Sequence, residues 1–148
     1  MTTQINSSVT LHSKSLTVFG ATSAIAQAVA KLHAEQGYCL VLIGRNSARL
    51  EQLEQHYQTL GAEKVVTICQ DLNDFDQHSV LIPKILAAIG RFDRVLFAQG
   101  TLPAQSELEQ SAVDTLACIR DNGLNLVSLA TLIASQLQVQ QHGQIGII

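Results

Sequence analysis

The sequence predicts an α/β fold in which a parallel sheet is covered by helices on both faces. Three observations predict it: five short β-branched runs recur along the 148 residues, amphipathic stretches separate them, and the runs are apolar throughout. These runs are SLTVF (15–19), CLVLI (39–43), KVVTI (64–68), RVLF (94–97) and QIGII (144–148). We therefore expect a doubly wound parallel sheet with strand order 3-2-1-4-5, truncated after the fifth strand.

Apolar residues at helical spacing predict the helices between these strands. The predicted apolar faces are Ile25, Val29 and Leu32 in the first helix, Leu50, Leu53, Tyr57 and Leu60 in the second, and Leu81, Ile82, Ile85, Leu86 and Ile89 in the third. Gly37, Gly61 and Gly90 follow these helices, where a left-handed cap is needed. In the fourth helical region (111–138), the turn signal DNG at 121–123 predicts a kink or a short break.

Composition and charge exclude several classes of protein. The length of 148 residues indicates one domain or part of one. Hydrophobic residues make up 47% of the chain and charged residues 14%, which indicates many buried segments and argues against disorder. The net charge of −3 gives no basic field for nucleic acid or an anionic membrane. No apolar run approaches the roughly 20 residues of a membrane span, and the polar stretch 1–14 is expected to be a loose tail without a signal peptide.

The cysteines and histidines indicate neither a disulfide framework nor a metal site. Cys39, Cys69 and Cys118 are single and far apart in apolar runs, so we expect reduced core residues of a cytoplasmic protein. The five histidines lack the short spacing of paired metal ligands, and the acidic run DLNDFD lacks the ordered spacing of a calcium loop. No metal site is predicted.

The stretch TVFGATSAIAQAVAKL (17–32) predicts a strand, a glycine turn and a helix. The start of such a helix presents free backbone N–H groups, and these groups together with the helix dipole attract a pyrophosphate. Gly20 supplies the turn, while Thr22 and Ser23 offer hydroxyl groups and N-caps. Ala24 and Ala26 stand where further glycines are commonest. Taken alone, the stretch also fits a plain βα turn without a ligand.

The end of the second strand bears on which dinucleotide would be bound. It reads LIGRN, with Gly44 where an acid that binds the ribose of NAD would sit, followed by Arg45 and Asn46. The planar guanidinium of arginine suits a 2′-phosphate, so NADP is favoured over NAD. The alternative is an ordinary solvated arginine that opens the second helix.

At this point the chain resembles the short-chain dehydrogenase/reductase family over nearly its whole length. The family's turn, TGxxxGxG, corresponds here to FGATSAIA, which keeps the first glycine and the spacing but has alanine at the other two. The resemblance implies a Rossmann fold over residues 15–148, incomplete at its C-terminus. The residues implied at the pyrophosphate are Gly20, Thr22, Ser23, Ala24 and Ile25, and those at the 2′-phosphate are Arg45 and Asn46.

Later landmarks of the family follow in order. QDLND resembles the Asp-aliphatic pair after the third strand, which implies that Asp71 and Leu72 contact the adenine. FAQG resembles the NAG turn after the fourth strand, which places Ala98, Gln99 and Gly100 beside the nicotinamide-side ribose. NLVS resembles the position whose asparagine, here Asn125, helps to hold a water in the family's proton relay. Taken singly, Asp71 also fits a helix cap and Asn125 a polar residue in helix packing.

Hydride transfer in the family depends on a serine after the fifth strand and on the motif YxxxK, which supply acid-base chemistry and orient the carbonyl. Tyr38 is followed by CLV and Tyr57 by QTL, so neither fits the motif, and Asn125 alone of the catalytic set is present. We therefore expect the 148 residues to bind cofactor without reducing a substrate. An apolar terminal strand favours the interpretation that they are the front portion of a longer reductase.

The functional hypothesis from the sequence is an NADP-dependent oxidoreductase that acts on a carbonyl/hydroxyl pair of a small molecule, with this chain carrying the cofactor-binding part. By resemblance, a homo-oligomer is expected, with neither nucleic acid nor membrane as partner. The first alternative is a noncatalytic NADP-binding or sensing module. A relative of the sugar-nucleotide epimerases is less favoured, because its turn would need glycines where Ser23 and Ala26 stand.

Overall fold

The structure, a computed structural model, describes residues 14–148 and contains a five-stranded parallel sheet. Its strand order is β3-β2-β1-β4-β5, which confirms the predicted fold class. Except for residue 14, the predicted N-terminal tail lies outside the described residues. The strands are β1 (Ser15–Phe19), β2 (Cys39–Gly44), β3 (Lys64–Cys69), β4 (Arg94–Phe97) and β5 (Gln144–Ile147).

Helices connect successive strands and lie on both faces of the sheet. They are α1 (Ala24–Ala34), α2 (Ser47–Thr59), α3 (His78–Ile89), α4 (Gln105–Leu108), α5 (Ala112–Ile119) and α6 (Asn125–Gln140). A short 3-10 helix (Phe75–Gln77) precedes α3. Among residues 14–148, no helix has the length and apolar character needed to cross a membrane.

The core consists of two apolar clusters, one on each face of the sheet. Leu40 and Leu42 of β2 belong to the cluster that contains the buried residues of α1 and α2. Val41 and Ile43, which alternate with them, belong to the cluster that contains the buried residues of α3 and α6. Alternate residues of the strand thus point to opposite faces, and both faces are buried, which is why the run is apolar throughout.

The buried face of α1 differs from the predicted one. Ile25 and Leu32 are 55% and 57% exposed, and the residues that pack on the sheet are Ala26, Ala30 and Ala34. Val29 is partly buried beside them. Alanine on this face lets the helix approach the strands closely, because a larger side chain would hold the two backbones apart. The expectation that Ile25 and Leu32 face the core was therefore wrong.

The predicted break in the fourth helical region is a π-helical segment, Arg120–Leu124, between α5 and α6. The helix is not broken there; it continues with a widened turn, so of the kink or short break that the DNG signal predicted, the break does not occur. The three glycines expected at helix ends, Gly37, Gly61 and Gly90, all have positive φ angles of 74°, 105° and 77°. These angles confirm the predicted positive φ of a left-handed cap at all three glycines.

The cysteines are less buried than expected. Cys69 is exposed, and Cys39 and Cys118 are half-buried, so none is a fully buried core residue. Cys69 is the last residue of β3, an edge strand, and Cys39 is the first residue of β2. Apolar runs predict strands, but they do not show which strand lies at the edge of the sheet or which residue stands at its end.

Candidate functional site

A cavity of about 230 Å³ opens at the carboxyl edge of the sheet. Its walls come from the segments that follow β1, β2, β3 and β4, and from the π segment and the start of α6. In open α/β sheets, the carboxyl edge at the point where strand order reverses is where ligands bind, and here β1 and β4 flank that point. The cavity is therefore the candidate site.

The turn after β1 leaves backbone donors free at the start of α1. The N–H groups of Gly20 and Ala21 both donate to the Ile43 carbonyl at 3.0 Å, and Ser23 Oγ caps the helix by accepting from Ala26 N at 3.2 Å. The amides of Thr22, Ala24 and Ile25 have no partner among residues 14–148. Free amides at a helix start, with the positive end of the helix dipole behind them, suit a phosphate group.

Gly20 also brings this turn against the turn that follows β4. Its φ angle is 76°, and a Cβ atom at this position would lie 2.5 Å from Gln99 N and 2.6 Å from Gln99 Cα. No real side chain tolerates such distances to backbone atoms, so only glycine fits here. The first and fourth strand ends can approach each other closely for this reason, and together they form one side of the cavity.

Arg45 is the one lysine or arginine among the residues that line the cavity. Its side chain is exposed and has no carboxylate partner in the described part of the chain. The neighbouring Asn46 is used differently: its Oδ1 accepts from Arg49 N at 3.0 Å and so caps α2. The guanidinium of Arg45 is thus available to a ligand, whereas the amide oxygen of Asn46 is already engaged.

The loop after β3 contributes Asp71 and Leu72 to the cavity wall. Asp71 Oδ1 accepts from Asn73 N at 3.0 Å, a contact that closes a tight turn within the loop. This carboxylate does not cap α3, which begins seven residues later at His78. The alternative prediction, that Asp71 caps a helix, is therefore wrong. Leu72 is buried beneath the loop.

Asn125, the first residue of α6, ties three segments together at the floor of the cavity. Its side chain is 3% exposed; Nδ2 donates to Asn73 Oδ1 at 3.0 Å and to the Asp121 carbonyl at 3.2 Å. Gln99 Nε2 donates to Asn125 Oδ1 at 3.5 Å. Asn73 Nδ2 in turn donates to Asp121 Oδ1 at 2.8 Å. A buried amide with its donors and acceptor used in this way holds the loop after β3, the turn after β4 and the π segment in one arrangement.

The model of the short-chain dehydrogenase family matches residues 14–148, which include every residue that lines the cavity. The chain belongs to the short-chain dehydrogenase family. Members of this family are oxidoreductases, and their fold binds a nicotinamide dinucleotide. The predicted family resemblance is therefore confirmed.

Three similar proteins indicate how far the likeness to other family members extends. The 11-beta-hydroxysteroid dehydrogenase 1A of Arabidopsis thaliana is 30% identical over 86 residues, which are 58% of this chain and 25% of that protein. A metagenomic short-chain oxidoreductase solved with NADP has a TM-score of 0.83 at 23% identity, covering 90% of this chain and 61% of its own. An NAD⁺-bound xylitol dehydrogenase has a TM-score of 0.76 at 19% identity, and the match covers 90% of this chain and 52% of that protein. This chain thus spans less than two thirds of each of these proteins.

The short-chain dehydrogenase cavity brings together ten of the residues named from the sequence and leaves three outside its lining. The ten are Gly20, Thr22, Ser23, Arg45, Asp71, Leu72, Ala98, Gln99, Gly100 and Asn125. The three outside are Ala24, Ile25 and Asn46. For Ala24 and Ile25 the free backbone amides, rather than the side chains, are the groups that a ligand at the start of α1 could use.

Sequence reasoning missed Asn73, Asp121 and Asn122, which shape this site through side-chain hydrogen bonds. Asn122 Oδ1 accepts from Thr101 N at 2.9 Å. The same oxygen would lie only 2.5 Å from a Cβ atom placed on Gly100. The signal was present in part, because Asn73 lies within QDLND and the other two within DNG. The sequence DNG by itself indicates a turn, and it does not show these contacts, which join residues up to 52 positions apart.

Proposed function

We propose that this chain is the cofactor-binding part of an NADP-dependent oxidoreductase that acts on a carbonyl/hydroxyl pair. One observation carries the proposal: the start of α1 leaves three backbone amides unpaired beside a cavity in which Arg45 is the lone cation. Amides at a helix start suit the pyrophosphate, and a guanidinium without a carboxylate partner suits a further phosphate. NADP differs from NAD by that additional phosphate.

The neighbouring residues support NADP over NAD. An acidic residue that would hydrogen-bond the ribose 2′-hydroxyl of NAD has no counterpart at Gly44, which lines the cavity beside Arg45. The carboxylate of Asp71 and the side chain of Leu72 would hold the adenine, and the close-packed backbone of Ala98–Gly100 would lie along the nicotinamide-side ribose. When bound, the cofactor supplies or accepts the hydride.

The two tyrosines of this chain are not placed to act as the catalytic acid or base, and Asn125 fits a supporting role. Neither tyrosine lines the cavity. Tyr57 is 1% exposed, donates to the Gln27 carbonyl at 3.3 Å, and has its pKa raised by burial, although Arg49 acts in the opposite direction. Tyr38 is buried at the opposite edge of the sheet. We therefore propose that Asn125 orders the site and that the acid-base residues of the complete enzyme lie outside these 148.

Two further aspects of the proposal concern assembly and compartment. Exposed apolar side chains follow the surface of α5 and α6, namely Val113, Leu116, Ile119 and Val127. A face of this kind supports self-association, and we propose a homo-oligomer. No disulfide joins the three cysteines, all of which are in the described part of the chain, and this supports a reducing, cytoplasmic compartment. The substrate is proposed to be a small alcohol or carbonyl compound.

Titration of the 148-residue chain with NADPH and with NADH, followed by cofactor fluorescence, tests the proposal. We expect NADPH to bind more tightly, and Arg45→Asp to weaken NADPH binding by about 1 to 3 kcal/mol, roughly 5- to 150-fold, with little effect on NADH binding. Lys84→Asp makes the same charge change on the exposed side of α3 and should leave both affinities unchanged. Equal losses for both cofactors, or no loss, would remove Arg45 from the site.

A longer protein that contains this chain offers the second test. With NADPH and a panel of small aldehydes and ketones, we expect NADPH oxidation. Tight NADPH binding without turnover of any carbonyl compound would instead favour a noncatalytic sensing module.

A further inference from the structure

A second cavity, of about 300 Å³, lies at the amino edge of the sheet. Its walls come from the segments that lead into β1, β2, β4 and β5, so it faces away from the cofactor cavity. Strands of about five residues separate the two edges by roughly 15 Å. The side chains that matter here are Lys14, Tyr38, Arg91, Asp93, Arg94 and His142.

Positive charge is concentrated around this second cavity. Three of the chain's nine lysines and arginines line it, against one carboxylate, although the chain as a whole carries a net charge of −3. The carboxylate belongs to Asp93, whose side chain is 8% exposed. Its Oδ2 accepts from Ser15 N at 2.8 Å and from Ser15 Oγ at 3.2 Å. Its Oδ1 lies 3.1 Å from Arg91 Nε and 2.8 Å from His142 Nε2.

Both oxygens of Asp93 already have partners, and the one cation in the described part of the chain whose charge this carboxylate balances is Arg91. Lys14 and Arg94 have no carboxylate partner among residues 14–148. Arg94 donates from Nη1 to His33 Nε2 at 2.8 Å, and its guanidinium carbon lies 5.4 Å from the centroid of the Tyr38 ring. His33 Nδ1 lies 2.8 Å from the Val29 carbonyl and must donate to it, so Nε2 is an acceptor and the ring is neutral.

The surroundings of Arg94 therefore fix its orientation without neutralising its charge. An aromatic face and a neutral imidazole hold the guanidinium in place, and its remaining N–H groups have no partner within residues 14–148. A guanidinium already held in position loses less rotational freedom when it binds an anion than a freely moving one does. Lys14 adds a mobile ammonium group at the same cavity.

We propose that this amino-edge cavity binds the phosphate group of a small anion. Two uncompensated positive charges match a phosphate dianion, and a planar guanidinium pairs with phosphate oxygens through two parallel hydrogen bonds. The ligand is either free phosphate or a phosphorylated small molecule, since both present the same group. The site is separate from the cofactor cavity and does not depend on the function proposed for that cavity.

Calorimetric titration of the 148-residue chain with inorganic phosphate and with ethyl phosphate tests this site, with sodium chloride of equal ionic strength as the reference. Arg94→Gln should weaken phosphate binding about tenfold or more, and Lys14→Gln about threefold, because the lysine is exposed and more mobile. Arg94→Lys keeps the charge and should recover part of the affinity. If Arg94→Gln lowers stability, Lys14→Gln keeps the test valid, since the Lys14 side chain makes no hydrogen bond or ion pair with residues 14–148.

Two control variants separate this site from other positive groups. Lys84→Gln removes an exposed cation of α3 and should leave phosphate binding unchanged. Arg45→Gln removes the cation of the cofactor cavity, where phosphate groups are also proposed to bind, and should leave unchanged the part of the phosphate binding that Arg94→Gln abolishes. Tighter binding of ethyl phosphate than of phosphate would identify a phosphorylated small molecule, and equal affinities would identify phosphate itself. Binding no stronger than that of chloride, or loss of binding in Arg45→Gln alone, would overturn the proposal.

Discussion

Gly20 illustrates how one residue supports both the fold and the candidate site. Its positive φ angle and its approach to the backbone of Gln99 exclude any side chain. Gly20→Ala should lower the free energy of unfolding by about 2 to 4 kcal/mol, since the methyl group meets both backbone strain and overpacking. Urea unfolding followed by circular dichroism measures this loss.

Gly123 provides the matched control for that substitution. It lies in the π segment, and nothing stands within 4 Å of the position that its Cβ would take. Gly123→Ala should be neutral or slightly stabilising, by about 0.5 kcal/mol, because alanine restricts the unfolded chain more than glycine does. Equal losses in the two variants would contradict the role assigned to the contact between Gly20 and the turn after β4.

Asp93 makes the stability of the protein depend on pH. Burial alone raises the pKa of its carboxyl group, but hydrogen bonds from Ser15 and His142 and the charge of Arg91 outweigh burial, so the pKa lies below the usual value of 3.8. A carboxyl group whose pKa is lower in the folded chain stabilises the fold above its ordinary pKa. This stabilisation is lost as the pH falls through the folded-state value.

Asp93→Asn should therefore reduce the free energy of unfolding by about 1 to 2 kcal/mol near pH 6. The difference between wild type and variant should shrink as the pH falls below about 4, where the carboxyl group begins to be protonated in the unfolded chain, and it should be lost as the pH falls through the lower folded-state pKa. Urea unfolding of both proteins from pH 3 to pH 7 measures this difference. A gap that stays constant over the whole range would show that the charge of Asp93 does not contribute.

Among the secondary-structure elements, the π segment between α5 and α6 determines the shape of the loop after β4. Asn122 Oδ1 accepts from Thr101 N, and its Nδ2 donates to the Cys118 carbonyl at 2.9 Å. Asn122→Ala should speed hydrogen exchange at the Thr101 amide about fivefold, since one hydrogen bond contributes about 1 kcal/mol. Asn122→Asp keeps the acceptor and should retain most of the protection. Unchanged exchange in the alanine variant would show that the loop is held by other contacts.

The strands were predictable and two of the helical features were not, for physical reasons. The central strands β1, β2 and β4 are buried on both faces and are therefore mostly apolar, and all five strands begin and end within one residue of their predicted bounds. On α1, large apolar residues face solvent and alanines face the sheet, because close packing there favours small volume over hydrophobicity. At Arg120–Leu124 the helix widens where a turn signal predicted a kink or a short break, since its hydrogen bonds shift partner instead of ending.

In the whole molecule, the carboxyl edge of the sheet collects residues that are far apart in the sequence. Motifs at the ends of strands predicted Gly20, Arg45, Asp71 and Gly100, because parallel strands all end at the same edge, and all four line the cavity. The contacts of Asn125 with Asn73 and Gln99 join three segments that are far apart in the sequence, and no strand-end motif predicts them. Sequence alone predicts which loops meet, and the folded chain decides which side chains bond.

The alanine face of α1 has a consequence for genetic variation in this protein. The free amides at the start of α1 occupy their place because Ala26, Ala30 and Ala34 allow the whole helix to rest close to the sheet. Valine at Ala30 would push the helix outward as a rigid rod and carry those amides with it. Under the proposed function, a screen of random variants for weakened NADPH binding would recover substitutions on this face, although none of its three alanines lines the cavity.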